Sequence, residues 1–295
     1  MLKRKKILTR LFLFFSTCLF LYACKKTNET GNFIPASDYL NVAKGKFIVY
    51  KLDSTVTINF GTSFKTVSYT IKDSVVDAFL DNAGRETFKI FRYQLNTTNG
   101  VWVPINTFTL NNLGSKIEYV ENNLRYTKLV SPVVNGKEWQ GNSFISVSPF
   151  KPDNFFNSWT YRYKDVGTSK TFGALSFPNT VTVEQFDSTT NLPFYNKAFW
   201  TYDKGYEVYA KNVGLVYKDI MSIEYQVFTS LSNCSYTKPK ANGVGLDTVI
   251  INCNLATSNC DSIRRLSTHK LKCDTSITSF DYKGFGIKQV ILDHN

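Results

Sequence analysis

The residue types that most often carry out catalysis are scarce in this sequence. It contains two histidines, His269 and His294. No G-x-S-x-G, H-E-x-x-H or glycine-rich phosphate-binding motif is present in the sequence. Catalysis by a histidine base, a zinc-bound water or a phosphate-binding loop is therefore not predicted, and we expect no cofactor and no metal site.

Carboxylates are the remaining catalytic candidates, because two of them can hydrolyse a glycosidic bond. The closest pairs are Glu118 with Glu121 and Glu184 with Asp187. Side chains three residues apart on a strand point to opposite faces of the sheet. We therefore interpret these carboxylates as solvent-facing charges and predict that the protein is not an enzyme.

The first residues of the chain are typical of a secretory signal. Residues 3–6, KRKK, form a basic head without acidic residues, and the mostly apolar residues 7–22 follow. Arg10 interrupts this run, which is also shorter than the roughly 20 apolar residues of a membrane-spanning helix. We predict that residues 1–23 are a signal peptide.

The end of this signal, Leu21-Tyr22-Ala23-Cys24, resembles the bacterial lipobox. The resemblance implies that the Cys24 thiol is alkylated with diacylglycerol, that the chain is cut after Ala23, and that the freed amine is acylated, with palmitate as the expected chain. The alternative is a buried cysteine in an ordinary signal peptide. Two or three acyl chains would anchor the protein to a membrane, because each buried methylene contributes about 0.8 kcal/mol.

Much of the basic character of the chain belongs to the predicted signal peptide. The formal net charge falls from +12 to +7 when residues 1–23 are removed, with 30 Lys and Arg against 23 Asp and Glu. No Lys/Arg cluster stands out beyond Lys25-Lys26. An exported protein with this charge pattern is not expected to bind nucleic acid.

Four further cysteines lie in the last quarter of the chain: Cys234, Cys253, Cys260 and Cys273. An even number in an exported chain favours two disulfides. A zinc site of four thiolates is the alternative, but its cysteines usually come in pairs two to four residues apart. The closest pair here has six residues between its members. We predict disulfides and leave the three pairings open.

The body of the chain has the composition and the periodicity of strands. Aromatic residues make up 15% of the sequence, and segments such as 85–95 and 159–167 alternate with period two. Turn sequences separate these segments, and no convincing amphipathic helix is present. We predict an all-β fold, either an antiparallel sandwich or a lipocalin-like (half-)barrel, with a disulfide-containing C-terminal excursion.

The predicted organisation has five parts. After the signal peptide, residues 24–44 form the lipidated N-terminus and a flexible tether. Residues 45–230 form the main β domain, residues 231–279 a cysteine-rich insertion, and residues 280–295 the strand that closes the main domain. A separate small C-terminal domain is the alternative for the cysteine-rich part.

Several phrases resemble one group of envelope proteins. They are SPVVNGKEWQGNSF (131–144), NTVTVEQFDS (179–188), YEVYAKNVGLVYKDI (206–220), ENNLRYTKL (121–129) and GFGIKQVILDHN (284–295). Together they are similar to uncharacterised lipoproteins of the Bacteroidota, which tend to have lipocalin-like or half-barrel β folds. The resemblance implies an outer-membrane lipoprotein. Because few acidic residues follow Cys24, the periplasmic leaflet is favoured over the cell surface.

Six aspartates are followed by Ser or Thr, and five of these pairs are followed by Thr, Val or Ile. This pattern resembles the O-glycosylation signal of exported Bacteroidota proteins. The residues that it marks are Ser54, Ser74, Ser188, Thr248 and Ser262, most of them expected near turns or loops. The alternative is that Asp and Ser cap turns with their short side chains.

Two functions remain in view. In the first, the β domain binds an apolar small molecule or a glycan, and some of the many aromatic side chains line the site. In the second, the domain has a structural or assembly role and docks another envelope protein. Aromatic residues at period two are more often ordinary core, so a large internal cavity would favour the first function and an exposed apolar patch the second.

Overall fold

The structure is a computed structural model that describes residues 33–145, 159–190, 199–241, 246–252 and 272–295. These residues form one short 3-10 helix, Ala36–Tyr39, and thirteen strands. The strands are β1 Phe47–Ile58, β2 Ser63–Leu80, β3 Glu86–Leu95, β4 Trp102–Asn112, β5 Lys116–Glu121, β6 Leu124–Val130, β7 Glu138–Gln140, β8 Thr160–Phe172, β9 Leu175–Thr190, β10 Trp200–Ala210, β11 Gly214–Pro239, β12 Leu246–Asn252 and β13 Lys272–His294. In the described part of the chain, no helix has the length and hydropathy needed to span a membrane.

All thirteen strands belong to one antiparallel sheet. Its order is β6-β5-β4-β3-β2-β1-β13-β11-β10-β9-β8-β7, with β12 paired to the distal end of β11. The sheet therefore consists of two meanders, β1 to β6 and β7 to β11, and the last strand joins them by pairing with β1 on one side and β11 on the other. β13 contains most of the predicted closing strand, residues 280–295, and lies between β1 and β11.

The two edge strands of the sheet approach each other. The backbone amide of Thr127, on β6, donates a hydrogen bond of 2.7 Å to the carbonyl of Gly141, just after β7. The indole Nε1 of Trp139, on β7, donates a second one of 2.8 Å to the carbonyl of Thr127. The result is a nearly closed barrel, which confirms the all-β prediction and its lipocalin-like alternative.

Period-two alternation explains why one face of the sheet becomes the interior. Phe88 and Ile90 on β3 are buried, as are Tyr161 and Tyr163 on β8. They belong to one hydrophobic cluster that draws on most strands of the barrel. Successive side chains of a strand point to opposite faces, so the aromatic and β-branched residues at alternate positions fill the inside. The alternation in segments 85–95 and 159–167 predicted this arrangement.

The folded part begins earlier than the predicted boundary at residue 45. Ala36 and Tyr39, in the 3-10 helix, are fully buried in the core cluster, and the Tyr39 hydroxyl donates a hydrogen bond to Asn179 Oδ1 at 3.0 Å. Residues Ile34–Asn295 form one compact unit. The prediction of a flexible tether over residues 24–44 is therefore wrong for residues 34–44, because this segment packs on the barrel.

Parts of the predicted cysteine-rich insertion continue the main sheet. β11 runs on to Pro239, β13 begins at Lys272, and the two strands pair over this extension. β12 pairs with the same end of β11. Residues 253–271 lie outside the described residues.

Candidate functional site

A cavity of about 410 Å³ lies inside the barrel. Side chains from β1 to β6, β8 to β11 and β13 line it, so the whole curved sheet contributes to its wall. Much of that wall is apolar and includes Leu52, Val75, Ile90, Phe108, Ile117 and Phe285. Pockets that bind small molecules typically measure about 300–1,000 Å³ and combine an apolar wall with a few polar groups. The polar groups of this cavity therefore decide what it can hold.

Glu207, on β10, is the centre of the first polar group. Its side chain is 1% exposed, and its Oε1 accepts a hydrogen bond of 2.8 Å from the ammonium of Lys128 on β6. Its Oε2 accepts one of 2.7 Å from the hydroxyl of Tyr209, and Lys218 Nζ lies 3.8 Å from Oε1. Burial works to raise the pKa of Glu207, but the nearby positive charges outweigh it and leave the pKa below its ordinary value.

The two lysines differ in how well they are compensated. Lys128 bonds directly to Glu207. Lys218 does not, and burial together with the positive charge of Lys128 lowers its pKa although Glu207 opposes the shift. This group therefore holds two cations and one carboxylate, and Glu121, which also lines the cavity, is a second negative charge that acts on Lys218.

Arg92, on β3, is the centre of a second polar group. Its Nε and one terminal nitrogen each donate a hydrogen bond of 2.7 Å to the two carboxylate oxygens of Asp73 on β2. Its other terminal nitrogen lies 3.6 Å from Glu121 Oε1, which also accepts a hydrogen bond from Asn106. Burial acts to lower the pKa of Arg92, yet Asp73 outweighs it and the pKa is raised. Asp73 and Arg92 thus form a bidentate ion pair.

Tyrosines connect these groups to the apolar wall. Tyr50, Tyr126 and Tyr161 line the cavity, and the hydroxyls of Tyr50 and Tyr161 donate hydrogen bonds of 2.9 Å to the Leu215 carbonyl and to Asn142 Oδ1. Burial raises the pKa of Tyr126 to about 12 and those of Tyr50 and Tyr161 well above the ordinary value. All three hydroxyls are therefore neutral near pH 7 and can act as donor or acceptor.

Two glutamines carry amide donors without a hydrogen-bond partner in the part of the chain that the structure describes. Gln185 on β9 and Gln289 on β13 both line the cavity and are 1% and 2% exposed. Among the described residues, neither side-chain Nε2 has a hydrogen-bond partner. Buried polar groups are nearly always paired, and an unpaired one costs about 1–3 kcal/mol. These two amides therefore mark the cavity as a place where a ligand could supply acceptors.

Comparison with known proteins found no relative of this chain. No protein-family model matches the sequence, and no curated protein or solved structure matches it either. The cavity and the sequence patterns are therefore the basis for assigning a function.

The predicted solvent exposure of the carboxylates is wrong for Glu118. Its side chain is 2% exposed and lies 2.5 Å from Lys116 Nζ, with Arg85 and Arg125 at 3.7 and 3.8 Å. Glu118 is buried because three cations of neighbouring segments surround it, a compensation that the sequence spacing does not reveal. Glu121, three residues later, lines the cavity instead.

The second carboxylate pair agrees better with the predicted solvent exposure. Glu184 and Asp187 are 23% and 46% exposed and form ion pairs with Lys164 and Lys204. Neither carboxylate lines the cavity.

The residues marked for glycosylation fall in different environments. Ser54 was expected near a turn but lies in the middle of β1, where it lines the cavity; the long, uninterrupted strand explains the difference. Ser74 is half-buried within β2, whereas Ser188 is exposed near the end of β9. Thr248 lies on β12, and Ser262 lies outside the described residues.

The predicted cysteine and histidine residues are only partly described. Cys24, Cys253, Cys260 and His269 lie outside the described residues. Cys234 on β11 and Cys273 on β13 are direct neighbours in the strand register. Within the described ranges, no group of three or more His, Cys, Asp or Glu side chains is arranged to hold a metal ion.

Sequence reasoning missed the polar lining of the barrel. Lys128, Gln185, Glu207, Lys218 and Gln289 were not singled out, although each lies in a strand rich in apolar residues. The sequence did contain a signal: a polar residue two positions from an apolar one in a strand lies on the same face. In YEVYA (206–210), Glu207 therefore shares a face with Tyr209. Such a pattern indicates a charge that faces the interior.

Proposed function

We propose that the protein is a non-catalytic envelope lipoprotein whose barrel binds a small, mainly apolar molecule. The single observation that carries this proposal is the internal cavity of about 410 Å³ with its apolar wall. A barrel that served only as a scaffold would be filled by its own side chains, because protein interiors are packed as densely as organic crystals. A cavity of this volume is therefore best explained by an occupant.

The anchor rests on the sequence. The basic head, the apolar run and the Leu-Tyr-Ala-Cys sequence that ends at Cys24 support lipidation of that cysteine. The outer membrane, on its periplasmic leaflet, is the proposed location. A lipid-anchored barrel would hold its ligand close to a membrane surface, where apolar molecules are most abundant.

An intact mass spectrum under native conditions tests both parts. The protein is extracted gently from its own membranes and measured before and after collisional activation. We expect acyl chains on Cys24 and a non-covalent added mass that leaves on activation. A spectrum without an acyl mass would contradict the anchor. A spectrum with acyl chains but no additional mass would contradict the carrier function.

A pair of variants separates cavity binding from adhesion to the surface. Ser54 lines the cavity, and its replacement in Ser54→Trp would fill part of the volume. Thr107 on β4 is exposed and directly precedes Phe108, which lines the cavity, so its side chain points to the opposite, outer face of the sheet. Thr107→Trp therefore adds a comparable apolar surface outside the cavity. We expect the non-covalent mass to be lost in Ser54→Trp and kept in Thr107→Trp. Loss in both variants, or in neither, would place the bound molecule elsewhere.

A second candidate function is docking of another envelope protein. It is favoured by an outer groove whose lining includes the apolar residues Val103, Ile105 and Leu292, each at least 44% exposed. Exposed apolar surface of this kind often marks an interaction site. A protein partner retained in the same native spectrum, with an empty barrel, would favour this second function.

A further inference from the structure

The unpaired donors of the cavity lie on neighbouring strands. Gln289 on β13 is the direct register partner of Lys218 on β11, and Lys218 is the partner of Glu207 on β10. Gln185 on β9 is beside Gly205 of β10, since a Cβ added to Gly205 would lie 3.6 Å from Gln185 Oε1. These side chains form one polar band across four adjacent strands, and we call it the donor band: Gln185, Glu207, Lys218 and Gln289.

The donor band has more donors than its own acceptors use. Glu207 is the one carboxylate in it, and its two oxygens already accept hydrogen bonds from Lys128 and Tyr209. Lys218 Nζ, at 3.8 Å from Glu207, lies beyond hydrogen-bond distance and bonds to no other residue in the described part of the chain. The Nε2 groups of Gln185 and Gln289 are likewise unpaired there.

The unequal pairing of the cavity's charges favours an anion at this band. Arg92, Lys128 and Lys218 line the cavity together with Asp73, Glu121 and Glu207. Lys128 bonds directly to Glu207, whereas Lys218 stays 3.8 Å from it, beyond hydrogen-bond distance. On the other side of the cavity, Arg92 is already held by both oxygens of Asp73. A buried charge is stable only when it is paired and hydrogen-bonded. Among the described cations of the cavity wall, Lys218 therefore combines a loose carboxylate contact with an unpaired amide, Gln289, as its register neighbour.

We propose that the donor band binds the carboxylate of an amphiphilic ligand at its Lys218–Gln289 end, with Lys218 as the counter-ion and the Gln289 amide as a hydrogen-bond donor. This inference rests on the proposed binding function and names the class of ligand: an unbranched or ring-containing apolar acid. The apolar body of the ligand lies against the wall that includes Ile90, Ile117 and Phe285. A carboxylate supplies two acceptor oxygens, enough to pair with the ammonium and an amide at once.

The test compares two probes that share the apolar chain and differ in the head group. Octanoate and 1-octanol are titrated by calorimetry into the full-length protein at pH 7, after delipidation of the cavity. We expect octanoate to bind at least tenfold more tightly, because hydrogen bonds to charged groups contribute about 1.5–3 kcal/mol each. Equal affinities would overturn the carboxylate assignment and leave the apolar cavity in place. Failure of both probes to bind would overturn the proposed function itself.

Variants identify the band as the binding site. Lys218→Met removes the counter-ion. It should lower the affinity for octanoate about tenfold and leave the affinity for 1-octanol unchanged. Gln289→Glu is isosteric and places a carboxylate opposite Lys218 in the register, so this carboxylate should pair with the ammonium and exclude octanoate. Gln94→Glu, on the outer groove, changes the net charge equally and should leave both affinities unchanged. Undiminished octanoate binding in Gln289→Glu would contradict the assignment even if Lys218→Met did not fold.

Discussion

Lys128 and Glu207 meet across the barrel interior, joined by a hydrogen bond of 2.8 Å although 79 positions separate them in the chain. Lys128 belongs to β6, one edge of the sheet, and Glu207 to β10, near the other edge. The pair therefore links the two meanders at a distance from the strand that joins them. The pair can form only when the two meanders curve towards each other to enclose the interior.

Removal of the carboxylate from this pair should be strongly destabilising. In Glu207→Gln, Lys128 and Lys218, whose side chains are 12% and 17% exposed, lose the carboxylate that lies nearest to them in both of their ion pairs. We expect the free energy of unfolding to fall by about 3–5 kcal/mol, the usual cost of breaking a buried ion pair. Urea denaturation at pH 7, followed by circular dichroism, measures the change.

A double-mutant cycle with Lys128→Met supplies the control for this prediction. If the two residues interact directly, the double variant should be more stable than the sum of the single effects predicts, by about 1 kcal/mol or more. Glu138→Gln is the matched variant outside the barrel, because Glu138 and Arg162 form an ion pair at about half exposure. This substitution should lower the free energy of unfolding by less than about 1 kcal/mol. Additive effects at Glu207 and Lys128 would contradict the interior pair.

The pH dependence of stability should depend on the same carboxylate. The pKa of Glu207 lies below its ordinary value of 4.5 in the folded protein, so the folded state binds this proton less readily than the unfolded state. The stabilisation is then fully present above about pH 4.5 and is lost as the pH falls through the lowered pKa. We expect the difference in unfolding free energy between wild type and Glu207→Gln to be constant from pH 5 to 7 and to shrink below it. A difference that stays constant down to pH 3 would contradict the shift.

Gly141 should be required for barrel closure. A Cβ at this position would overlap the ring of Tyr161, which is fully buried, while the Gly141 carbonyl accepts the hydrogen bond that joins the two edges. We expect Gly141→Ala to destabilise the protein by about 1–3 kcal/mol, as overpacking of a core does. Thermal unfolding measures the effect.

Gly205 offers a matched control for that substitution. Its added Cβ would meet its nearest neighbour, Ile220 Cγ1, at an ordinary 3.5 Å. Gly205→Ala should therefore be neutral or stabilising by up to about 1 kcal/mol, since alanine loses less conformational freedom on folding than glycine. Equal destabilisation by both substitutions would mean that closure at Gly141 has no special role.

The sequence predicts the class of fold better than it predicts the site. Alternation of large apolar residues in segments 85–95 and 159–167 is a local signal, and it correctly indicated strands with one buried face. The burial of Glu118 and the meeting of Lys128 with Glu207 depend on which strands become neighbours across a closed barrel. That information is non-local, because alternation assigns a face to a side chain but does not identify what lies opposite. For the same reason the cavity, formed by eleven strands at once, has no signature in any single segment.

Register also bears on the disulfides, whose pairing the sequence leaves open. Cys234 on β11 and Cys273 on β13 are opposite each other in an antiparallel ladder. Residues directly opposite in such a ladder have Cα atoms about 4.5–5.5 Å apart, within the range of about 4.4–6.8 Å that a disulfide needs. We expect Cys234 to pair with Cys273, and consequently Cys253 with Cys260. Oxidation of each pair transfers two electrons and two protons to a disulfide oxidant of the exporting cell.

Peptide mapping without reduction tests this pairing, after thiols have been blocked to prevent exchange. A linked peptide that contains Cys234 and Cys273 is expected, and it should persist in the double variant Cys253→Ser/Cys260→Ser. The reverse variant, Cys234→Ser/Cys273→Ser, should lower the free energy of unfolding by about 2–4 kcal/mol, because it frees a long loop in the unfolded chain. A link from Cys234 to Cys253 or Cys260 would require the ends of β11 and β13 to pair in a different register, since the present one holds Cys234 against Cys273.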